Sequence, residues 1–117
     1  MKLLVFLLIL TASMSALSCS EADITAPIEI HMKEITESGA KVVDFKVDLE
    51  SIHITDQEGT FEGISYGQSV IEILFNYKII YGNSNISYYN GFSAVSTETC
   101  EKVSVGSFFI RTQNEPI

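Results

Sequence analysis

The stretch formed by residues 70–81, VIEILFNYKIIY, constrains the fold more than any other part of the chain. Every second residue from Ile71 to Tyr81 is apolar or aromatic, whereas the residues between them are mixed in character. A period of two places the first set on one face of a β-strand, against a core, and leaves the other face half covered. The β-branched and aromatic residues also favour a strand over a helix. We therefore predict that residues 70–81 form the central strand, with Phe75 buried.

Two stretches before it, residues 28–33 and 41–55, carry similar patterns. Pro27 is incompatible with an uninterrupted helix and suits an extended start, so residues 28–33, which alternate in polarity, are predicted to form a first strand. In residues 41–55 the apolar positions change phase before Ile52, which indicates a strand with a β-bulge or one that crosses between two sheets. A helix is the alternative for this second stretch, because some of its apolar residues also recur at helical spacing.

Two further strands are predicted at residues 61–66 and 103–112. In the second of these, Phe108 and Phe109 are neighbours and must point to opposite faces. We expect both faces of this last strand to be covered.

Asn90-Gly91 stands between two apolar segments, residues 86–89 and 92–95. Asn-Gly in that position is the strongest short-range signal for a hairpin turn. The chain would then contain about seven short strands. This number predicts an all-β fold, a small antiparallel β-sandwich or barrel, and the sequence favours neither of the two.

The first eighteen residues have the features of a secretory signal peptide. Lys2 precedes an apolar run that ends at Leu10, and small residues, Ala16 and Ser18, occupy the positions that a signal peptidase recognises. The run is shorter than the roughly 20 residues of a transmembrane helix. We predict cleavage after Ser18, which leaves residues 19–117 as a single secreted β domain of 99 residues.

The predicted mature chain is strongly acidic. It carries fifteen acidic and six basic residues, because Lys2 is lost with the signal peptide, and its net charge is therefore −9. A protein of this charge repels phosphate groups, which argues against nucleic acid and anionic membranes as partners.

Cys19 and Cys100 are the only cysteines of the chain, and both follow the predicted cleavage site. An even number of cysteines in an oxidising compartment suggests a disulfide. The alternative rests on residues 19–23, CSEAD, which resemble the start of bacterial lipoproteins, where an acidic stretch follows a lipidated cysteine. That resemblance implies a protein anchored to a bacterial envelope through a lipid on Cys19, with Cys100 left unpaired. The sequence departs from the usual lipoprotein signal at Ala16, where leucine is preferred.

No set of residues indicates catalysis. Residues 63–67, GISYG, match the G-x-S-x-G pattern of serine hydrolases. However, that pattern needs a histidine later in the chain, and both His31 and His53 precede Ser65. We therefore expect a protein that is not an enzyme and that uses no metal or cofactor.

The candidate ligand site is a group of aromatic residues beside amide side chains. Tyr88, Tyr89 and Asn90 are the predicted ligand-binding residues, because stacking rings and hydrogen-bonding amides are typical of sites for sugars and flat ligands. Adjacent residues of a strand point to opposite faces, so one of the two tyrosines is expected to be exposed. Asn85 begins an N-glycosylation sequon, Asn-Ile-Ser.

Together these features favour a secreted, non-enzymatic β-sheet binding domain, of which a lectin-like domain is one form. Its ligand would be an extracellular carbohydrate or protein, bound through exposed aromatic residues. The alternative is a structural or assembly module that forms a homo-oligomer or pairs with another protein through apolar surface.

Overall fold

The structure, a computed structural model, describes residues 19–82 and 84–113, and the predicted signal peptide lies outside them. Within that part of the chain, four strands form one antiparallel sheet in which each strand pairs with the next. A helix packs across one face of this sheet, which we call the inner face; the opposite face is the outer face. In chain order the elements are α1 (Glu21–Glu37), β1 (Lys41–Thr55), β2 (Val70–Ile80), β3 (Ile86–Ser96) and β4 (Lys102–Thr112). The fold is therefore mostly β and antiparallel, as predicted, but it is not a sandwich or barrel of seven strands.

The first strand predicted, at residues 28–33, is wrong, because this segment belongs to α1. Ile24, Ile28 and Met32 recur at intervals of four residues, and all three are buried against the inner face. The alternation that suggested a strand depended on Ile30, whose exposed fraction is 60%. Three alternating apolar residues fit a helical stripe equally well when the middle one is left in solvent, and packing on the sheet selects the helix.

The start of α1 is fixed by reciprocal side-chain caps. The Ser20 hydroxyl accepts a hydrogen bond from the Asp23 N–H, and the Asp23 carboxylate accepts one from the Ser20 N–H, each 3.1 Å long. This arrangement satisfies two of the N–H groups that a helix leaves unpaired at its start. Pro27 lies inside the helix and is buried, although it removes one backbone hydrogen bond. The caps and the burial of the apolar stripe offset that cost.

The two long predicted strands are confirmed. β1 occupies the predicted residues 41–55, and β2 ends one residue before the predicted end, at Ile80. The register between these strands shifts between Asp48 and His53, so the bulge predicted from the change of phase is present.

The hairpin predicted at Asn90-Gly91 is wrong, because β3 continues through both residues. Gly91 lies opposite Phe75 of β2 in the register. The Phe75 ring covers it so closely that an added Cβ would lie 2.3 Å from the ring atom Cζ. Glycine is needed here for the approach of an aromatic ring, and not for a turn.

The strand predicted at residues 61–66 is also absent. Apart from the named strands, the described residues form one isolated bridge, between Glu58 and Ser65. The segment is part of a long connection between β1 and β2, residues 56–69, which we call the β1–β2 loop. This loop folds over part of the outer face.

The last predicted strand is present as β4, and Phe108 and Phe109 point to opposite faces as expected. Phe108 stacks on Phe92 of the outer face, whereas Phe109 contacts Tyr89 on the inner face. The expectation that both faces are covered is wrong, because the two phenylalanines are 42% and 50% exposed. β4 is the edge strand of the sheet that the described residues form, so it has a neighbouring strand on one side only.

The core lies between α1 and the inner face. Phe75 is 2% exposed there, which confirms its predicted burial, whereas Tyr81 lies beyond the end of β2 and is 46% exposed. The buried Ser93 hydroxyl of β3 donates a hydrogen bond of 3.3 Å to the carbonyl of Ile24. A short side chain at this position lets α1 approach the sheet closely.

The predicted disulfide between Cys19 and Cys100 is present, and their Cα atoms lie 5.4 Å apart. It joins the residue before the N-cap of α1 to the turn between β3 and β4. The two cysteines are 81 residues apart in the chain. Loop-closure entropy for such a cross-link predicts a stabilisation of about 4 kcal/mol as an upper figure. The helix is thus tied covalently to the sheet at one end.

The substitution Gly91→Ala is expected to lower the free energy of unfolding by about 1–3 kcal/mol, because the new methyl group would overlap the Phe75 ring. Gly106→Ala is the matched control, since an added Cβ there would lie 3.4 Å from the nearest atom, in the Phe92 ring. Chemical denaturation of both variants measures the difference. Equal losses in the two variants would contradict the close packing of Phe75 on Gly91.

His31 lies on the side of α1 that faces β4. Its Nε2 atom is 3.1 Å from the Ser107 hydroxyl oxygen, and its ring meets the Phe75 ring edge-on. Burial lowers the pKa of His31 below its ordinary value of 6.5, although the nearby Glu34 charge raises it in part. The unfolded chain therefore binds a proton at this histidine more readily than the folded protein does. It follows that the fold loses stability as the pH falls below the ordinary pKa of histidine.

The free energy of unfolding should consequently decrease between pH ~7 and pH ~5 by more in the wild-type protein than in the His31→Gln variant. Lys33→Gln, at an exposed position of the same helix, should retain the wild-type slope. Urea denaturation at a series of pH values measures all three proteins. If His31→Gln showed the wild-type slope, the effect of burial on His31 would be refuted.

Candidate ligand-binding face

The outer face has a covered half and an open half. Over the covered half, the apolar side chains Phe61, Ile64 and Tyr66 of the β1–β2 loop pack on the sheet beside Phe92. The open half carries polar and aromatic side chains from β2, β3 and β4. These side chains point outward because the residues between them in each strand point into the core.

The structure separates the three residues predicted to bind a ligand. Tyr88 and Asn90 lie on the outer face, whereas Tyr89 lies on the inner face, where its ring stacks on Tyr77 with centroids 5.1 Å apart. Both predicted tyrosines are half-buried, so neither is the exposed tyrosine that was expected.

The hydroxyl group of Tyr89 is engaged as well. It forms a hydrogen bond of 3.1 Å with the Tyr81 hydroxyl. That bond, together with burial, raises the pKa of Tyr89 to about 12. The edge of the Phe109 ring also contacts Tyr89. Tyr89 therefore belongs to a group of aromatic residues on the inner face, and it shares no surface with Tyr88 and Asn90.

On the outer face, Asn90 has a partner that the sequence analysis did not identify. Asn76 of β2 faces Asn90 of β3, and both amides are exposed. Asn90 lies between Asn76 and Phe108 of β4, with which it also pairs, and the Phe108 ring is partly exposed. We call Asn76, Asn90, Tyr88 and Phe108 the outer patch. A depression of about 180 Å³ is lined by both amides and by Asp48, Phe61, Leu74 and Phe75.

Two cations from the neighbouring strands lie over the ring of Tyr88. Lys78 Nζ is 5.2 Å from the ring centroid, and the guanidinium carbon of Arg111 is 4.2 Å from it. Lys78 also forms an ion pair of 3.0 Å with Asp44. Cation–π contacts of this kind hold the ring and the charged groups in place. Tyr88 thus positions two cations at the border of the outer patch, and Phe108 supplies its exposed ring.

The sequence analysis also missed a buried carboxylate that holds the β1–β2 loop. Glu72 of β2 is fully buried, and its oxygens accept hydrogen bonds from the Thr60 N–H at 3.0 and 3.2 Å. The hydroxyl groups of Thr60 and Tyr66 donate to the same carboxylate. His53 Nε2 lies 3.0 Å from one of its oxygens. We call Glu72, Thr60, Tyr66 and His53 the Glu72 cluster.

The Glu72 cluster anchors the loop, because three donors from Thr60 and Tyr66 bind the carboxylate. Glu72 is fully buried, so it offers no surface to a ligand. Burial, and then the hydrogen bond to Glu72, raises the pKa of Tyr66, so its hydroxyl remains a donor. The signal in the sequence was a single acidic residue within an apolar strand. Its partners come from a loop whose path the sequence does not show.

Among the described residues, no group of three or more His, Cys, Asp and Glu side chains could hold a metal ion. The two histidines do not meet, because His31 lies against the inner face and His53 lies at the outer face. Ser65 is exposed in the β1–β2 loop. Asn85 lies between β2 and β3, and its glycosylation stays a prediction.

Comparison of the chain with protein-family models, with curated proteins and with solved structures found no match. No helix within residues 19–82 and 84–113 is long and apolar enough to cross a membrane. The geometry of the outer face is therefore the basis for inferring a function.

The substitution Tyr66→Phe is expected to lower the free energy of unfolding by about 1–3 kcal/mol, because Glu72 loses a buried hydrogen-bond donor. The β1–β2 loop should then open more often and become more sensitive to proteases. Limited proteolysis followed by mass spectrometry measures cleavage within residues 56–69. Tyr88→Phe, the same chemical change on the open half, is the control. If the two variants were cleaved at the same rate, the Glu72 cluster would not be the anchor of the loop.

Proposed function

We propose that this protein is a secreted, non-enzymatic binding domain whose outer patch binds carbohydrate, in the manner of a lectin. The observation that supports this proposal is the pair of facing, exposed amides, Asn76 and Asn90, beside the exposed ring of Phe108. An amide both donates and accepts hydrogen bonds, as a sugar hydroxyl does. An aromatic ring packs against the apolar face of a sugar.

The packing of the outer patch also supports binding. Its residues lie on three adjacent strands, and the Phe108 ring is held by Phe92 and by the edge of the Phe61 ring, whose centroid is 5.3 Å away. A preformed surface loses little conformational entropy when a ligand binds. A shallow, open depression suits an extended ligand, such as a polysaccharide, that contacts several strands at once.

An extracellular setting is part of the proposal. It rests on the predicted signal peptide and on the disulfide, since disulfides persist in oxidising compartments. A lipid anchor at Cys19 needs a free thiol at that residue, and the sulfur of Cys19 is bonded to Cys100. The disulfide therefore favours secretion without a lipid over an anchor on a bacterial envelope.

A second candidate function, an assembly module, is favoured by the edge strand β4. Phe108, Phe109 and Ile110 are consecutive residues of this strand and are 42%, 50% and 48% exposed. An edge strand offers unpaired backbone groups, and apolar side chains along it promote pairing with another chain. In that case the protein would form a homo-oligomer or bind a partner protein through β4.

The carbohydrate proposal predicts that the double variant Asn76→Ala/Asn90→Ala loses binding to glycans that the mature, disulfide-bonded protein captures on a glycan array. The loss should be at least about tenfold, because each amide contributes hydrogen bonds of about 1 kcal/mol. Gln68→Ala, which removes an exposed amide from the β1–β2 loop, should bind as the wild type does.

Light scattering of the same samples distinguishes the two candidates. A monomer that binds glycans supports the first. A stable dimer that binds none, and that Phe109→Ser converts to a monomer, supports the second and contradicts the first.

A further inference from the structure

The basic residues of this acidic protein are unevenly distributed. Six basic residues follow position 18, against fifteen acidic ones. The register places four of the six on the outer face, each on the same side of the sheet as its partner: Lys41 opposite Ile80, Lys46 opposite Asn76, Lys78 opposite Tyr88, and Arg111 also opposite Tyr88. All four lie on the open half, around the outer patch.

Acidic residues neutralise only part of this positive charge. Asp44 is paired with Lys78, and Asp48 lies on the same half of the face. Glu72 of β2 is also on the outer face, but it is buried beneath the β1–β2 loop in the covered half. Within the described residues, neither Lys46 nor Arg111 forms a salt bridge. The open half therefore carries four basic residues against two acidic ones, Asp44 and Asp48, of which Asp48 lines the depression, in a chain whose net charge is negative.

We propose that the ligand of the outer patch is an anionic polysaccharide, one that carries sulfate or carboxylate groups on its sugar rings. This inference rests on the proposed function and specifies its ligand. Lys46 lies in the same row across the strands as Asn76, Asn90 and Phe108, and the next row contains Lys78, Tyr88 and Arg111. A sugar ring over the two amides would therefore have Lys46 beside it and the other two cations along one of its edges. The amides then serve the hydroxyl groups and the cations serve the acidic groups.

The arrangement of rings favours a polysaccharide over a single-stranded nucleic acid. Nucleic-acid sites stack successive bases on a series of free aromatic faces. Here Lys78 and Arg111 lie over the Tyr88 ring, and Phe108 is packed against Phe92 and Phe61, which leaves one partly exposed ring. The amides at the centre of the patch also favour a polysaccharide over an anionic membrane. A polysaccharide carries a regular series of hydroxyl groups that these amides can bind, and the charged headgroups of a bilayer do not.

The experiment compares dextran sulfate with dextran, which share a backbone and differ in charge, and adds polygalacturonate as a carboxylate polymer. Binding to the mature, disulfide-bonded protein is measured by calorimetry at low and physiological salt. The charged polymers should bind at least about tenfold more tightly than dextran, and their affinity should fall as salt rises. Dextran sulfate and polygalacturonate together show whether sulfate or carboxylate is preferred.

Charge reversal shows whether the outer patch is the binding site. Lys46→Glu should weaken binding of the charged polymers at least about tenfold, whereas Lys33→Glu, which changes the net charge equally but lies on α1, should retain wild-type binding. Arg111→Gln provides a second variant that removes a charge without adding one. Circular dichroism confirms that each variant is folded.

The outcomes separate this inference from the proposed function. Equal binding of dextran and dextran sulfate would overturn the anionic ligand and leave the carbohydrate proposal standing. An absence of binding to every polysaccharide tested, together with an empty glycan array, would overturn both. Equal losses of binding in Lys46→Glu and Lys33→Glu would also overturn the proposal of an anionic polysaccharide. So would binding to phosphatidylserine vesicles, or to an oligothymidine strand, that is tighter than binding to the charged polymers.

Discussion

The burial of the inner face beneath α1 is the interaction on which the rest of the structure depends. A single antiparallel sheet has two faces and cannot remain stable with both in water. The apolar stripe of α1 covers one of them, and Ser93 and Gly91 leave room for the helix and for the Phe75 ring. The caps at Ser20 and the disulfide of Cys19 hold the helix at its start, so these contacts reinforce one another.

Because α1 buries the inner face, part of the outer face can remain in contact with solvent. The β1–β2 loop covers one half, and the buried Glu72 carboxylate fixes that loop through donors that would be costly to leave unpaired. The open half carries the outer patch and four of the six basic residues that follow position 18. A division of one face into an anchored half and an open half thus places a group of basic residues around the outer patch of an acidic protein.

The sequence by itself predicted the long strands, and it gave the bulge in β1 and the disulfide as one of two alternatives each. Period-two patterns over residues 41–55 and 70–81 favour strands, although some apolar residues of the first stretch also recur at helical spacing, and two cysteines allow a single disulfide. The sequence also placed Tyr88 and Asn90 in one region of aromatic and amide side chains, although it assigned Asn90 to a turn. It could not show that Asn76 lies opposite Asn90, because that contact depends on the register of two strands.

Only the tertiary structure decided the elements whose local pattern fits two conformations. Residues 28–33 alternate in polarity, yet the sheet needs a cover and so the segment becomes part of α1. Asn90-Gly91 has the composition of a turn, yet the ring of Phe75 needs a position without a side chain, so β3 continues through it. The physical reason is the same in both cases. A short pattern sets a local preference of about 1 kcal/mol, whereas burying a large apolar side chain contributes about 2–3 kcal/mol, so packing decides where the two compete.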